Sequence, residues 1–300
     1  MAWTEITRQR YERTAQRYSS DLTDEEWAAV SPLLPGRNLL GRPRKVDLRS
    51  VWNALQYIAA AGCAWSLLPK DFPPVSTVRY YFYGWRDSGL LAEVNRKLVA
   101  TAREREGRDR RPTAGVIDSQ SVKTTENTSL SGYDAPSQRM HAFACRSMGK
   151  RIKGRKRHIM TDTCGHLIAL RVHGANIQDR PSQRMLAFAC RAVDGAPVVF
   201  GQLAREAPKL RHVFADGGYA GPKLRDALIG IGRWTIQIVK RSDTAAGFEV
   251  LPRRWVVERT FAWLGKCRRL AKDWEKTIES AEAWIFIAHI RRMTRLLARH

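Results

Sequence analysis

Acidic residues are scarce in this chain. Only 29 Asp and Glu stand against 52 Lys and Arg, which leaves a formal net charge of +23 over 300 residues. That excess is far beyond what solubility requires and points to a polyanionic partner, nucleic acid ahead of a membrane surface. Long apolar runs are missing too. Stretches such as Ala281 to Ile290 fall well short of the roughly 20 residues needed to cross a bilayer. The first residues, with Trp3, Glu5 and scattered Arg, lack the apolar stretch of a signal peptide. The five cysteines (Cys63, Cys145, Cys164, Cys190, Cys267) are odd in number and contain no C-x-x-C pair. This argues against a disulfide framework or a zinc knuckle and fits a reducing cytoplasm. None of the seven histidines falls in an H-x-x-x-H pattern that would favour zinc.

The length suggests one large catalytic domain plus a smaller accessory one. Leu22 to Pro35 reads as a helix, with Thr23 and Glu26 forming a capping box, Trp27, Val30 and Leu33 at helical spacing, and Pro35 as the stop. The basic loop Gly41-Arg42-Pro43-Arg44-Lys45 follows. A second helix is expected from Asp47 through Val51, Leu55 and Ile58 to Gly62, and a third from Ser76. Short helices joined by tight loops suggest a helix-turn-helix-like module. Arg79, Arg86 and the aromatics Tyr80, Tyr81, Tyr83 and Trp85 fit either a DNA-facing surface or an aromatic core with solvated arginines. The charged stretch Arg103 to Pro112, broken by Gly and Pro, reads as a linker. A helical DNA-binding domain over 1–105 and a second domain over 113–300 are therefore expected.

Beyond the linker the pattern becomes strand-like. Thr113 to Lys123, Arg157 to Thr163 and Leu167 to His173 are expected strands, the last two flanking the turn Cys164-Gly165. Ile177 to Val193 reads as a helix, Arg211 to Ala215 as a strand, Pro222 to Ile229 as a helix, Trp234 to Lys240 as a strand, and Arg253 to Trp274 as a long helix. The order β-β-β-α-β-α-β-α matches an α/β fold of the RNase H-like type, a mixed sheet flanked by helices, preceded here by the small all-α module.

Three carboxylates sit at informative places in that order. Asp118 follows uncharged residues inside a strand, where an ionised group is costly unless something pairs with it, and a metal would do so. Asp216 ends the run Val-Phe-Ala and precedes Gly217-Gly218, which reads as a ligand at a strand end or as an ordinary Asp-Gly turn. Glu258 has Arg254 four residues before it on the same helical face, so alone it reads as a surface ion pair. Two strand-end aspartates and a helical glutamate together are what a two-metal phosphoryl-transfer site requires. Carboxylate oxygens suit Mg²⁺ or Mn²⁺, with magnesium the default.

At these residues the chain resembles the bacterial insertion-sequence transposases of the DDE class, in the IS-five-like branch, over most of its length. The resemblance rests on Gly-Val-Ile-Asp118-Ser-Gln-Ser-Val-Lys-Thr, Lys-Gly-Arg-Lys-Arg-His158, Phe-Ala-Asp216-Gly-Gly-Tyr-Ala-Gly and Arg-Arg-Trp-Val-Val-Glu258-Arg-Thr-Phe-Ala-Trp-Leu, with Leu22-Thr-Asp-Glu-Glu-Trp and Gly41-Arg-Pro-Arg in support. It implies that Asp118, Asp216 and Glu258 are the catalytic metal ligands of a metal-dependent endonuclease and strand-transferase. The implied partner is double-stranded DNA, namely terminal inverted repeats and a target site. A homodimer or larger synaptic complex in the bacterial cytoplasm, near the nucleoid, is also implied. Arg254 matches the arginine of the family's Y-(2)-R-(3)-E-(6)-K signature, whereas its tyrosine falls on Leu251 and its lysine on Gly265, one before Lys266.

A second departure is a repeat. Pro136 to Arg146 recurs as Pro181 to Arg191, differing only at His141 against Leu186. Two copies are too few for a solenoid, so a local duplication is the expected origin. The second copy has a helical face at Met185, Phe188, Ala189 and Ala192 and is expected in the core. The first, over 136–148, is expected as an insertion at a loop tip. Next to it Lys150, Arg151, Lys153, Arg155, Lys156 and Arg157 put six basic residues in eight positions, expected with His158 to grip a DNA backbone. Arg42, Arg44, Lys45, Arg79, Lys123, Arg254, Lys266, Arg268 and Arg269 complete the expected phosphate contacts. Two alternatives to a transposase remain at this point: a nuclease of the same fold, and a degenerate, catalytically inactive DNA-binding relative.

Overall fold

The computed structural model describes residues 16–36, 44–125, 132–134, 152–174, 195–220, 222–239 and 253–299. At its centre is β1 (Ala114–Lys123), which pairs antiparallel with β3 (Ile152–Asp162) on one side and parallel with β5 (His212–Ala215) on the other. β3 continues antiparallel to β4 (Leu167–Gly174), and β5 continues parallel to β6 (Thr235–Ile238). The short strand β2 (Gly132–Asp134) pairs with the start of β3. Three antiparallel strands followed by two parallel ones give the expected RNase H-like order, with β2 as an addition. β1 and β3 approach so closely that a Cβ at Gly154 would overlap the Val122 carbonyl oxygen. The expected turn between β3 and β4 is present, with Gly165 at φ 86, a conformation glycine adopts without steric cost.

Each sheet face has its own apolar layer. Ile117, Met160 and Ala169 pack with Val199, Phe200 and Leu203 of α5 (Gly195–Glu206) and with Leu224 and Leu228 of α6 (Pro222–Leu228). On the other face Val116, Ile159, Leu170 and Val172 pack with α7 (Arg254–Gly265) and α8 (Ile278–Leu297). The same layer takes in the N-terminal helices α1 (Asp24–Val30), α2 (Leu48–Ala61), α3 (Val75–Asp87) and α4 (Leu90–Arg105). α8 lies against all four of them as well as β4. Among the described residues no helix is long and apolar enough to cross a membrane.

Local signals set the helix ends. Thr23 Oγ1 accepts from the Glu26 amide (3.2 Å), and Glu26 Oε2 accepts from the Thr23 amide (3.2 Å), which is the expected capping box. Asp47 accepts from the amides of Arg49 and Ser50, and Gly62 closes α2 in the left-handed conformation. α3 begins at Val75, one residue before the expected start. The charged segment expected as a linker is helical up to Arg105, and Arg103 turns inward to Asp162 at 2.5 Å. The last long helix is two helices: α7 stops at Gly265, and a 3-10 turn (Arg268–Leu270) follows. The chain then pairs Asp273 with Thr124 before α8 begins. The expected helix over 177–193 and both copies of the repeat lie outside the described residues.

Candidate active site

β1 and β5 carry two of the predicted carboxylates to one place by register alone. The pair Val116–Phe214 is the last that these strands make. Asp118 and Asp216 each lie two residues beyond it, on the same face by strand alternation. Asp216 caps the 3-10 turn Gly217–Tyr219, its Oδ1 accepting from the Gly218 amide at 2.8 Å. The turn is anchored from beneath: Tyr219 is buried, and its hydroxyl lies 3.0 Å from His158 Nδ1. Burial, with the neighbouring His173 and Lys156, holds His158 well below the usual imidazole range, so it is neutral. Its ring stacks on His173 at 4.7 Å.

Glu258 arrives from α7. Arg253, immediately before this helix, has φ 72 and is the only non-glycine residue at positive φ among those described, a strained conformation that costs on the order of 1 kcal/mol. Arg254 then bridges the acids, with Nη2 3.8 Å from Asp216 Oδ2 and Nε 3.4 Å from Glu258 Oε1. Asp118 Oδ1 accepts from the Ser119 amide at 2.7 Å. Burial, above all, pushes its carboxyl up to about 7, and the charges of Asp216 and Glu258 add to that while the Ser119 amide and Arg254 oppose it.

This donor set fits a hard divalent cation. It consists of carboxylate oxygens, and it concentrates negative charge where one member is only about half ionised at neutrality. Among the described residues only Glu106, Cys164 and His166 gather three potential ligand atoms within 4.8 Å of one another. The Asp118, Asp216 and Glu258 oxygens stand further apart, with the Arg254 guanidinium between two of them.

The expected phosphate contacts divide by burial. Lys45, Arg79, Lys123, Lys266 and Arg268 are exposed, Arg79 lying over the Trp65 ring. Arg44 is half-buried and donates to the Pro35 carbonyl, and Arg254 belongs to the acid cluster. Arg42, Lys150 and Arg151 lie outside the described residues, as does the side chain of Lys153. The rest of the basic run is interior, because it forms β3, flanked by β1 and β4 and covered on both faces. Arg155 is fully buried and donates to Asp273 Oδ1 and to the carbonyls of Glu275, Lys276 and Thr277. Arg157 is buried and donates to the Leu270 carbonyl at 2.8 Å, and burial lowers it to about 10. Lys156 and His158 are buried on the opposite face. Arg269 is buried as well, donating to Glu275 and to the Cys63 carbonyl. Arg155 and Arg157 tie the segment before α8 to the sheet instead of facing solvent. Sequence reasoning missed Tyr219 as the anchor of the Asp216 turn, although it stands in the same short motif. It also missed Thr260 and Arg259, which donate from α7 to the Gly165 and Cys164 carbonyls of the β3–β4 turn.

Residues 109–293 match the family described as Transposase DDE domain, and residues 22–95 match that described as Putative transposase of IS4/5 family. A putative transposase for insertion sequence element IS402 from Burkholderia cepacia is 33% identical over 132 residues, which is 44% of this chain and 59% of that protein. An uncharacterized protein, y4sN, from Sinorhizobium fredii (strain NBRC 101917 / NGR234) is 29% identical over 83 residues, 28% of this chain and 64% of that one. The chain thus covers less than two thirds of either relative. No solved structure matches. With the DDE domain accounting for more than half of the residues, on a sheet of the matching order, the chain belongs to the DDE transposase family.

Proposed function

We propose that this protein is a DNA transposase that cuts the ends of an insertion sequence and joins them to target DNA, with Asp118, Asp216 and Glu258 as its catalytic carboxylates. The observation that carries this reading is the convergence of three acids from β1, the end of β5 and α7, with Asp118 held near neutrality by burial and its acidic neighbours. Asp118, Asp216 and Glu258 would hold Mg²⁺ or Mn²⁺, which supplies Lewis-acid stabilisation of charge on the phosphoryl oxygens.

The chain's own residues orient the reaction. The turn capped by Asp216 is fixed by Tyr219 and neutral His158, and the β3–β4 turn braces the helix that carries Glu258. Arg254 limits repulsion between Asp216 and Glu258 until substrate arrives. In the first step a water oxygen bonds to phosphorus and the P–O3′ bond at the element end breaks, freeing a 3′-hydroxyl. In the second, that hydroxyl attacks a target phosphodiester and displaces a target 3′-oxygen, so no covalent enzyme intermediate is needed.

The exposed Lys45, Arg79, Lys123, Lys266 and Arg268, with Arg42, Lys150 and Arg151, would neutralise phosphates without reading bases. The N-terminal helices, within 1–105, would contact the terminal inverted repeats, and two element ends would be paired by at least a dimer. The test is incubation with Mg²⁺ and DNA bearing candidate inverted repeats, beside an Asp118→Ala control. Cleaved and joined products with the wild-type protein alone are expected. Cleavage by both proteins, or by neither, would overturn the assignment, and cleavage without joining would leave a nuclease.

A further inference from the structure

A second cluster lies at the turn between β3 and β4, built from residues that the proposed reaction does not use. Glu106, at the C-terminal end of α4, contributes a carboxylate oxygen, Cys164 its sulfur and His166 a ring nitrogen, all within 4.8 Å of one another. The cluster is rigidly framed. Asp162 Oδ1 accepts from the backbone amides of Cys164 and His166, both at 2.9 Å. Thr260 Oγ1 donates to the Gly165 carbonyl at 2.8 Å, and Arg259 Nη2 donates to the Cys164 carbonyl at 3.0 Å. Gly165 itself is confined, since a Cβ there would come within 2.9 Å of Thr260 Oγ1.

The orientation of His166 is the telling feature. Its side chain is buried, and Nδ1 faces Asp162 Oδ2 at 3.2 Å, an oxygen that also receives Arg103. A carboxylate can only accept here, so Nδ1 carries the hydrogen. Nε2 then faces Glu106 Oε1 at 3.7 Å, beyond hydrogen-bond reach, with Cys164 alongside. In a neutral ring this sets lone pair against lone pair. A histidine whose one nitrogen donates to a carboxylate while the other meets a sulfur and an oxygen is oriented as metal-bound histidines are. Imidazole, thiolate and carboxylate are the borderline donor set that suits zinc, and three protein ligands leave one position for water. Glu106 stands at the exposed edge, which gives an ion a way in.

We propose that Glu106, Cys164 and His166 bind one zinc ion that clamps the end of α4 to the β3–β4 turn. Binding replaces the Cys164 thiol proton, which is released to solvent. Because Arg259 and Thr260 join that turn to α7, the clamp would also steady the helix that carries Glu258, without taking part in the chemistry.

The full-length protein, stripped with a chelator, is titrated with Co²⁺ as the spectroscopic stand-in and then with Zn²⁺. One equivalent of Co²⁺ is expected to give a thiolate charge-transfer absorption that Zn²⁺ abolishes. Cys164→Ser should remove it, Glu106→Gln should weaken Co²⁺ binding at least tenfold, and Asp118→Asn should leave it unchanged. Glu106→Gln guards against misfolding, because the residue is exposed and its loss spares the Arg103–Asp162 pair. Metal-free, this variant should melt like the metal-free wild type, while Zn²⁺ should raise the melting temperature of the wild type only. Absence of the absorption, its survival in Cys164→Ser or its loss in Asp118→Asn would overturn the proposal. Equal zinc stabilisation of wild type and Glu106→Gln would do the same.

Discussion

Replacing Asp118 by asparagine tests the electrostatic reading of the acid cluster without touching DNA. Asparagine keeps an oxygen for the Ser119 amide and removes only the charge. The Asp118 carboxyl is raised from the ordinary 3.8 to about 7, so the folded protein takes up a proton that the unfolded chain does not hold between those values. Stability therefore falls as pH rises through that window, and the deficit is complete above it. At about 1.4 kcal/mol per pH unit the ceiling is on the order of 4 kcal/mol. Solvent access at this half-buried group reduces it to roughly 2 kcal/mol, or a rise of about 4 °C in Tm for a chain of this size. Urea unfolding in chelator at pH 8 should show Asp118→Asn more stable than wild type, with the gap closing toward pH 4. Added Mg²⁺ should stabilise the wild type and leave the variant unchanged. A variant no more stable than wild type at pH 8, or a gap independent of pH, would refute the reasoning.

Other perturbations separate charge at the site from charge in the interior. Arg254→Gln removes the guanidinium that competes with a cation for Asp216 and Glu258, so the Mg²⁺-dependent thermal shift should saturate at several-fold lower Mg²⁺; an unchanged or weaker response would contradict this. Arg155→Met strands buried Asp273 and leaves three carbonyls without their donor, and should destabilise the fold by about 3–5 kcal/mol in urea titration. Arg268→Ala should lower DNA affinity several-fold and reduce the salt slope by about 1, whereas Arg157→Met, read by the same binding assay, should leave the slope unaltered. Deleting 136–148 should leave the protein soluble, because Gly132–Asp134 and Ile152–Gly154 on either side are paired in the sheet; an insoluble product would show the segment to be structural.

Much of the fold was legible because the signals are local. Thr23 with Glu26, Asp47 with Gly62, and Cys164-Gly165 each mark an element boundary through a hydrogen bond or a dihedral preference that neighbouring residues settle among themselves. Asp118 and Asp216 were legible for the same reason, one inside a strand and one at a strand end. The end of the basic run, Arg155 to His158, is interior where a solvated grip on DNA was expected, because composition does not tell a solvated loop from a central strand. Arg155 and Arg157 become interior only when Asp273 and the carbonyls of residues 270 and 275–277 arrive from over a hundred residues away. The expected helix over 253–274 ends early at Gly265, and the Asp273–Thr124 pairing within its expected span is again a long-range contact. The zinc proposal rests on a C-x-H step completed by Glu106, a contact across nearly sixty residues that no spacing rule anticipates.

Three costs meet around the proposed catalytic carboxylates. Asp118 is pushed toward protonation, Arg253 occupies a strained positive-φ conformation at the start of the helix that delivers Glu258, and Arg254 is committed to two acids at once. None of these helps the chain to fold, and a neutral residue at 118 or a glycine at 253 would relieve much of the burden. Burial also pushes Glu282 up to about 7, but that carboxyl accepts from the Val172 amide and stands apart from the acid cluster, and at Asp162 the described structure resolves the problem outright. Burial alone would raise Asp162, yet His166, the turn amides and Arg103 outweigh it and hold that carboxyl far below the ordinary range. A fold able to hold the Asp162 carboxylate so firmly ionised at the β3–β4 turn leaves half-buried Asp118, with the Ser119 amide as donor, pushed toward protonation at the centre of its sheet. The meeting of a raised carboxyl, a strained helix start and a shared guanidinium at one acid cluster is the physical reason to place the chemistry at Asp118: strain that a single substitution would remove persists where a ligand is meant to remove it.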